Sequence, residues 1–329
     1  MRITRRTLFG SIAATSAMPL HAATLPSLRI GVLRYGTVSW EIDVMRHHAL
    51  DEAAHITVVP MELATAQASQ IALQAGQVDM IVVDWLWVAR QRSTGADWTS
   101  VPFSNAVGAL IAPASSPVRD IPDLANHTLG IAGSPLDKSW LILRAYATRR
   151  YGIDLDSVAN KQFGSPPLLT EQMNAGRLDA LLTYWPFVAK AEAHGARRVL
   201  NVADAVTALG IDEGVPYIGY TFSSHWAQQN PTLIEGFIAA TAQARTLLAT
   251  SDGEWQRIKP LTGAADDAEL ERLRDWYRRG IPRNWGDPER HAAAQLFDLL
   301  AKAGGPELVG PISAVPPGTF WPVTWRTGA

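Results

Sequence analysis

The pattern Ala-Gly-x-(Val/Leu)-Asp-x-(Ile/Leu)-(Val/Leu)-x-x-Trp-x-(Trp/Phe)-Val-Ala-(Arg/Lys) occurs twice, over residues 75–90 and 175–190, at an offset of one hundred residues. A chain that repeats one signature at that spacing is constrained to two related lobes. Each copy reads as a helix ending at glycine, then a strand (78–83 and 178–183), then a Trp-bearing turn into the next helix. Ligands of open α/β sheets bind beyond the carboxyl ends of the strands. Asp84 with Trp85, and Tyr184 with Trp185, are thereby aimed where a ligand would sit, and two such mouths facing each other make a clamp.

At 329 residues the chain is long enough for two lobes that each bury a core. A hydrophobic fraction of 47% and a net charge of −2 give no general electrostatic case for nucleic acid or an anionic membrane. The chain has no cysteine, which excludes disulfides, thiol nucleophiles and iron–sulfur clusters. Thr4-Arg5-Arg6-Thr7-Leu8-Phe9, the mildly apolar stretch 10–20 and the small residues Ala22 and Ala23 resemble a Tat export signal. The expectation is a signal peptide over 1–23 and a mature protein in the periplasm.

Along the mature chain, 28–33 reads as a strand that ends at Arg34, Tyr35 and Gly36; 56–61 reads as the next strand and 66–75 as a helix, before the first copy of the repeat. Strands alternating with helices predict an α/β fold with a mostly parallel sheet in each lobe, flanked by helices. Val107 to Ala112 reads as a strand, and the turn formers Pro113 to Pro117 as the first crossing between lobes. The predicted organisation is lobe 1 from 24–112 plus 217–329 and lobe 2 from 113–216, with hinges near 112–114 and 215–219. Beyond Ser224 the sequence is nearly all helical and is expected to pack on the first lobe. The tail over 316–325, with Phe320, Trp321 and Trp325, reads as ordered against the body.

Several fragments in this order resemble the periplasmic substrate-binding proteins of ABC importers, in the branch that contains taurine-, alkanesulfonate- and thiamine-pyrimidine-precursor binders. They are Leu28 to Leu33 opening the protein, Ala75-Gly76-Gln77-Val78-Asp79, Ser116-Pro117 before Ile121-Pro122-Asp123-Leu124, Gly130 to Ser134, Leu141 to Ala145, and Tyr184-Trp185-Pro186-Phe187. The resemblance implies a two-lobed type II periplasmic binding fold that closes on a small solute and hands it to an inner-membrane permease. It implies no cofactor and no metal, and a monomer is expected. One branch of the family makes a thiamine precursor as a single-turnover enzyme with a cysteine-rich motif, which this chain lacks.

The resemblance places the ligand site at Tyr35 and Gly36 with Trp40 behind, at Asp84 and Trp85, at the loop and helix start from Ser134 through Asp137, Lys138 and Ser139, and at Tyr184 and Trp185. The start of the helix at Lys138 can receive an anion on its unpaired amides. Pro135, Leu136 and Asp137 depart from the small residues usual before this helix in sulfonate binders. Asp137 reads either as a ligand contact or as a helix cap, and Asp84 either as a ligand contact or as the partner of a nearby base or amide. Trp85 and Trp185 read either as aromatic walls for a planar, alkyl or cationic ligand or as core; as walls, each could be replaced by alanine with loss of binding and no loss of fold. Asp79 and Asp179 read as scaffold. An amine-bearing or planar solute is favoured, and an organic anion such as a sulfonate comes next. No catalytic motif is present, so the prediction is a binding protein and not an enzyme. The alternatives are a sensor, or an accessory to an oxidoreductase system without import, and an enzyme of unknown class.

Overall fold

The computed structural model describes residues 25–34, 36–211 and 214–326; the predicted signal over 1–23 and the candidate residue Tyr35 lie outside them. The chain lays down strands β1 (Ser27–Leu33), β2 (Thr57–Leu63), β3 (Met80–Asp84), β4 (Trp98–Ser104) and β5 (Gly108–Ala112). β6 (Thr128–Ala132), β7 (Asn160–Gly164), β8 (Ala180–Tyr184), β9 (Arg197–Asn201) and β10 (Ile218–Ser223) follow, and two short strands, β11 (Asn284–Trp285) and β12 (Trp325–Arg326), close the chain. Two five-stranded sheets result, with orders β2-β1-β3-β10-β4 and β7-β6-β8-β5-β9. In each, the first three strands are mutually parallel and the fourth runs antiparallel to both its neighbours. The two sheets are therefore copies of one plan, mostly parallel with one reversed strand.

The conserved positions of the repeat serve this plan. Gly76 and Gly176 end their helices with φ of +67° and +70°, a conformation in which a side chain costs roughly 1 kcal/mol. Asp79 accepts from the backbone N–H of Arg29 at 2.8 Å, and Asp179 accepts from that of Thr128 at 2.8 Å. Each aspartate thus ties the entry of the repeat strand to the strand beside it, β1 or β6.

The reversed strand in each sheet comes from across a crossing. β5 pairs with β8 and β9, so it belongs to the second sheet. The first crossing consequently lies at residues 105–107, upstream of the turn formers Pro113 to Pro117, because a strand already hydrogen-bonded on both sides cannot belong to the other lobe. The return passes through 214–217 into β10, and the Tyr217 amide donates to Ser104 O at 2.9 Å, binding the two crossings to each other.

The C-terminal helices do not all rest on the first lobe. Pro231–Thr250 packs on the helices Val38–His47 and Leu50–Ala53 of lobe 1, whereas Asp267–Gly280 packs on Trp185–Ala193, and Asp287–Val309 on both Lys138–Tyr151 and Trp85–Ser93. Their apolar faces explain the difference. Leu270, Leu273 and Trp276 belong to a cluster that contains Trp185 and Val188, and Leu296, Phe297 and Leu300 to one that contains Trp140 and Leu141. Fully burying residues of this size contributes about 1.5–3 kcal/mol each, so these helices act as struts between the lobes.

Candidate functional site

The two repeat strands end at the junction of the lobes, and their last residues differ. Asp84 caps the helix Trp85–Ser93 by accepting from Leu86 N–H at 2.8 Å, and its other oxygen is ion-paired with the ammonium of Lys138. Lys138 comes from the second lobe, so this pair crosses the junction; its ammonium also faces the Tyr217 carbonyl at 3.5 Å. The side chains are 17% and 30% exposed for Lys138 and Asp84, too sheltered for the charges to ignore each other.

Tyr184, the counterpart of Asp84, donates its phenol to Asp137 at 2.9 Å, while Asp137 caps the helix Lys138–Tyr151 through the Ser139 amide at 2.8 Å. The amide an anion could have used at this helix start is therefore occupied by the chain's own carboxylate. Gly133 holds φ at +99°, and a Cβ there would lie 2.9 Å from the Tyr184 hydroxyl and 3.0 Å from Asp137 Oδ2, so glycine is what lets phenol and carboxylate meet. Ser134 accepts from Leu136 N–H at 3.2 Å and shapes the same loop. Burial raises the Asp137 carboxyl above its usual range, opposed by the Tyr184 hydrogen bond and the charge of Lys138. Burial and the negative charges of Asp137 and Asp84 push the Tyr184 phenol upward, so it stays protonated and remains a donor.

The two repeat tryptophans are taken up in packing. Trp85, 1% exposed, donates its indole N–H to Pro216 O at 2.7 Å and sets its ring 5.7 Å from Phe320, within the cluster that fills the second lobe. Trp185, 6% exposed, does the reverse: it leaves lobe 2 and meets Trp40 edge-on at 5.8 Å, in a first-lobe group that includes Trp255 and Tyr277. Each lobe lends one tryptophan to the other. Alanine at either position would open a cavity, so such variants are expected to lose stability.

Of the sequence candidates, Asp84, Asp137, Lys138 and Tyr184 form one polar cluster, framed by Gly133, Ser134 and Ser139. Trp40, Trp85 and Trp185 are buried beside it. Gly36 sits in the turn after β1, where its carbonyl accepts from the Ser39 hydroxyl at 2.6 Å. Residue type gave no hint of the Tyr217 carbonyl, since any residue supplies one. A second inter-lobe group also went unanticipated: His194 contacts Glu269 at 2.7 Å, Lys190 donates to Gly263 O at 2.6 Å, and Trp276 donates to Glu192 at 3.0 Å beneath the Arg198 guanidinium. Its signal was the amphipathic helix Asp267–Gly280, whose partner surface cannot be read from its own periodicity.

Among the described residues no group of three or more His, Cys, Asp or Glu side chains is arranged to hold a metal ion. The cluster offers one ammonium, two carboxylates and one phenol, all engaged with one another, which is a set suited to exchanging partners with a polar ligand.

A family model described as NMT1/THI5 like matches residues 45–251. No curated protein matches the sequence. Among solved structures, the alkanesulfonate-binding protein SsuA from Xanthomonas axonopodis pv. citri, bound to MOPS, is 18% identical, with a TM-score of 0.66 over 91% of this chain and 99% of that one. The periplasmic aliphatic sulphonate binding protein SsuA from Escherichia coli is also 18% identical, with a TM-score of 0.69 over 88% of this chain and 95% of that one. A desulfurization enzyme, DSZB, is 15% identical, with a TM-score of 0.58 over 89% of this chain and 97% of that one. These likenesses establish the fold, a two-lobed type II periplasmic binding architecture.

Proposed function

The chain belongs to the NMT1/THI5-like family, and from that premise we propose that it is the solute-binding component of an ABC importer, exported by the Tat route and acting in the periplasm as a monomer. It captures a small organic solute between its lobes and presents it to an inner-membrane permease. The likeness in fold to sulfonate-binding proteins supports this reading. So does the twin-arginine pattern at Arg5 and Arg6, and no helix among the described residues is long and apolar enough to cross a membrane.

The Asp84–Lys138 pair carries the reading of the solute. A plain organic anion that takes Lys138 strands the Asp84 carboxylate in a sheltered site, and a plain amine that takes Asp84 strands the ammonium; either leaves an unpaired charge, which is costly away from water. A small zwitterion, with an amine toward Asp84 and an acidic group toward Lys138, replaces both halves of the pair at once. We therefore favour an amine-bearing solute with an acidic group, and a plain organic anion such as a sulfonate second. The protein binds without turnover, since each titratable side chain of the cluster already has a partner and none is left as a free base.

The test is thermal unfolding with 2-aminoethanesulfonate, ethanesulfonate and ethylamine. A ligand of the native state stabilises by about 2.7 kcal/mol at one hundred times its Kd. The zwitterion should raise Tm well above its two halves, and Lys138→Met should erase the difference. Equal stabilisation by ethanesulfonate alone would refute the zwitterion while leaving a binding protein. Chemical change in the recovered ligand would refute binding without turnover. Normal solute uptake by cells lacking the protein would point to the sensor or accessory role.

A further inference from the structure

The two crossings between the lobes, 105–107 and 214–217, face each other with polar groups that do not match. Asn105 Oδ1 is buried, and no described residue donates to it. Opposite it, the backbone N–H groups of Gly214 and Val215 have no acceptor among the described residues, although Val215 is only 3% exposed. An acceptor without a donor on one crossing thus stands beside donors without an acceptor on the other. The two segments are close: a Cβ at Gly214 would lie 2.8 Å from Asn105 Nδ2. The Asn105 carboxamide therefore turns its donor end toward a segment that itself offers donors, and its acceptor end goes unused.

Buried polar groups are nearly always hydrogen-bonded, so an orphan at this place calls for a physical reason. The first crossing is anchored. The Asn105 amide donates to Gly280 O at 2.8 Å, and the packing there is so close that a Cβ on Gly280 would lie 2.5 Å from Ala106 Cβ. The second crossing has one fixed point, the bond from the Tyr217 amide to Ser104 O at 2.9 Å. Gly214 and Val215 lie on the second-lobe side of that bond. Rotation of lobe 2 about it carries their N–H groups past an anchored carboxamide.

The lobes meet in this arrangement, since the Asp84–Lys138 pair spans them. The arrangement satisfies that pair and strands Asn105. Two opposed terms of similar size are what a hinge with two populated states requires.

We propose that Asn105 is an opening spring built into the hinge: its carboxamide is unpartnered while the lobes meet and accepts from the Gly214–Val215 backbone when lobe 2 rotates away. The unliganded protein then populates both arrangements, with Asp84–Lys138 favouring the first and Asn105 the second. A solute that reinforces the junction works against this restoring force, which parts the lobes again when the solute leaves.

The chain has no cysteine, so Gln67→Cys and Leu168→Cys, at exposed helix starts on opposite lobes, take spin labels whose separation is read by electron resonance in the full-length, unliganded protein. Two separations are expected, and Lys138→Met should raise the share of the longer. In either background Asn105→Ala deletes the orphan without adding bulk, and it should lower the ratio of the longer to the shorter separation about tenfold. Asn105→Asp, a stronger acceptor of backbone amides, should raise that ratio. A residue that merely packs would shift the ratio the same way in both variants. Asn105→Ala should also leave the urea midpoint no lower, because it removes no hydrogen bond made by the side chain in this arrangement. The proposal is overturned by a single separation in every form, by an Asn105→Ala ratio that is unchanged or raised, or by Asn105→Asp moving the ratio in the same direction as Asn105→Ala.

Discussion

Breaking the Asp84–Lys138 pair should loosen the junction between the lobes by a measurable and salt-sensitive amount. Asp84→Asn removes the charge but keeps the cap on Leu86, because asparagine caps about as well as aspartate. Lys138→Met removes the ammonium and keeps the apolar stem. At side-chain exposures of 30% and 17% the pair is neither a surface contact nor fully buried. Exposed pairs couple by about 0.2–1 kcal/mol, and removing one partner of a buried pair costs about 3–5 kcal/mol. Water still reaches Asp84, so we expect a coupling of about 1–2 kcal/mol in a double-mutant cycle read by urea unfolding, declining as salt rises. Lys138→Met should cost less than Asp84→Asn: the stranded Asp84 keeps the Leu86 amide and more hydration, whereas the stranded Lys138, the less exposed of the two, keeps the Tyr217 carbonyl at 3.5 Å as its hydrogen-bond acceptor and the field of Asp137. Because the partners stand on different lobes, each variant should also increase the radius of gyration of the unliganded protein in solution scattering. A coupling below about 0.3 kcal/mol, within the error of such cycles, would refute the view that this pair holds the lobes together.

Two further outcomes follow from the same geometry. Trp185→Ala should lose about 3–5 kcal/mol of stability by leaving a cavity against Trp40, whereas Trp85→Phe should lose only about 1–2 kcal/mol, chiefly the indole hydrogen bond to Pro216 O; chemical denaturation checks both, and equal losses would contradict the packing described. Asp137 has a folded-state pKa raised above its ordinary value near 3.8, so the folded protein binds the proton more tightly than the unfolded chain, and this residue's contribution to stability falls as pH rises from that value through the raised one. Asp137→Asn should flatten that fall in urea titrations repeated across the acidic range, and an unchanged slope would show that burial does not raise the proton affinity of this carboxyl.

The repeat made the fold legible because it couples a period with chemistry that is purely local: a glycine that ends a helix at positive φ, an aspartate that accepts a neighbouring strand's amide, an apolar strand and a tryptophan. Asp79 and Asp179 could be read as scaffold because their hydrogen bonds lie at strand entries. The first crossing lies upstream of its expected place for a physical reason, while the return falls where the sequence puts it. Pro113 to Pro117 are strong turn formers, but a turn marks where a strand ends and does not say which sheet that strand joined, and β5 joins the second by pairing with β8. The site was legible in part. Asp84, Lys138, Asp137 and Tyr184 are candidates from sequence, yet the Asp84–Lys138 pair depends on the approach of two lobes and the Tyr184–Asp137 pair on the pairing of β8 with β6, neither of which a local pattern encodes. The helices Asp267–Gly280 and Asp287–Val309 show the same limit, since an amphipathic stripe reports that a face is buried and leaves open against what.

The duplication also explains why the two tryptophans differ in role from what their symmetry implied. A strand-end tryptophan in a single lobe would project into an open mouth; with two copies face to face, Trp185 meets Trp40 of the first lobe and Trp85 packs on Phe320 of the C-terminal tail, and such burial is the lower free-energy outcome for so large an apolar surface. The positions just before them, Asp84 and Tyr184, cannot follow into the core, because a carboxylate or a phenol buried without a partner carries an unpaired polar cost. They stay at the surface of the junction and find Lys138 and Asp137 there. Packing thus buries the shared tryptophans of the repeat and leaves the divergent Asp84 and Tyr184 half-buried at the junction. On that account, exchanging Asp84 and Tyr184 identities should alter solute preference far more than any conservative change at Trp85 or Trp185.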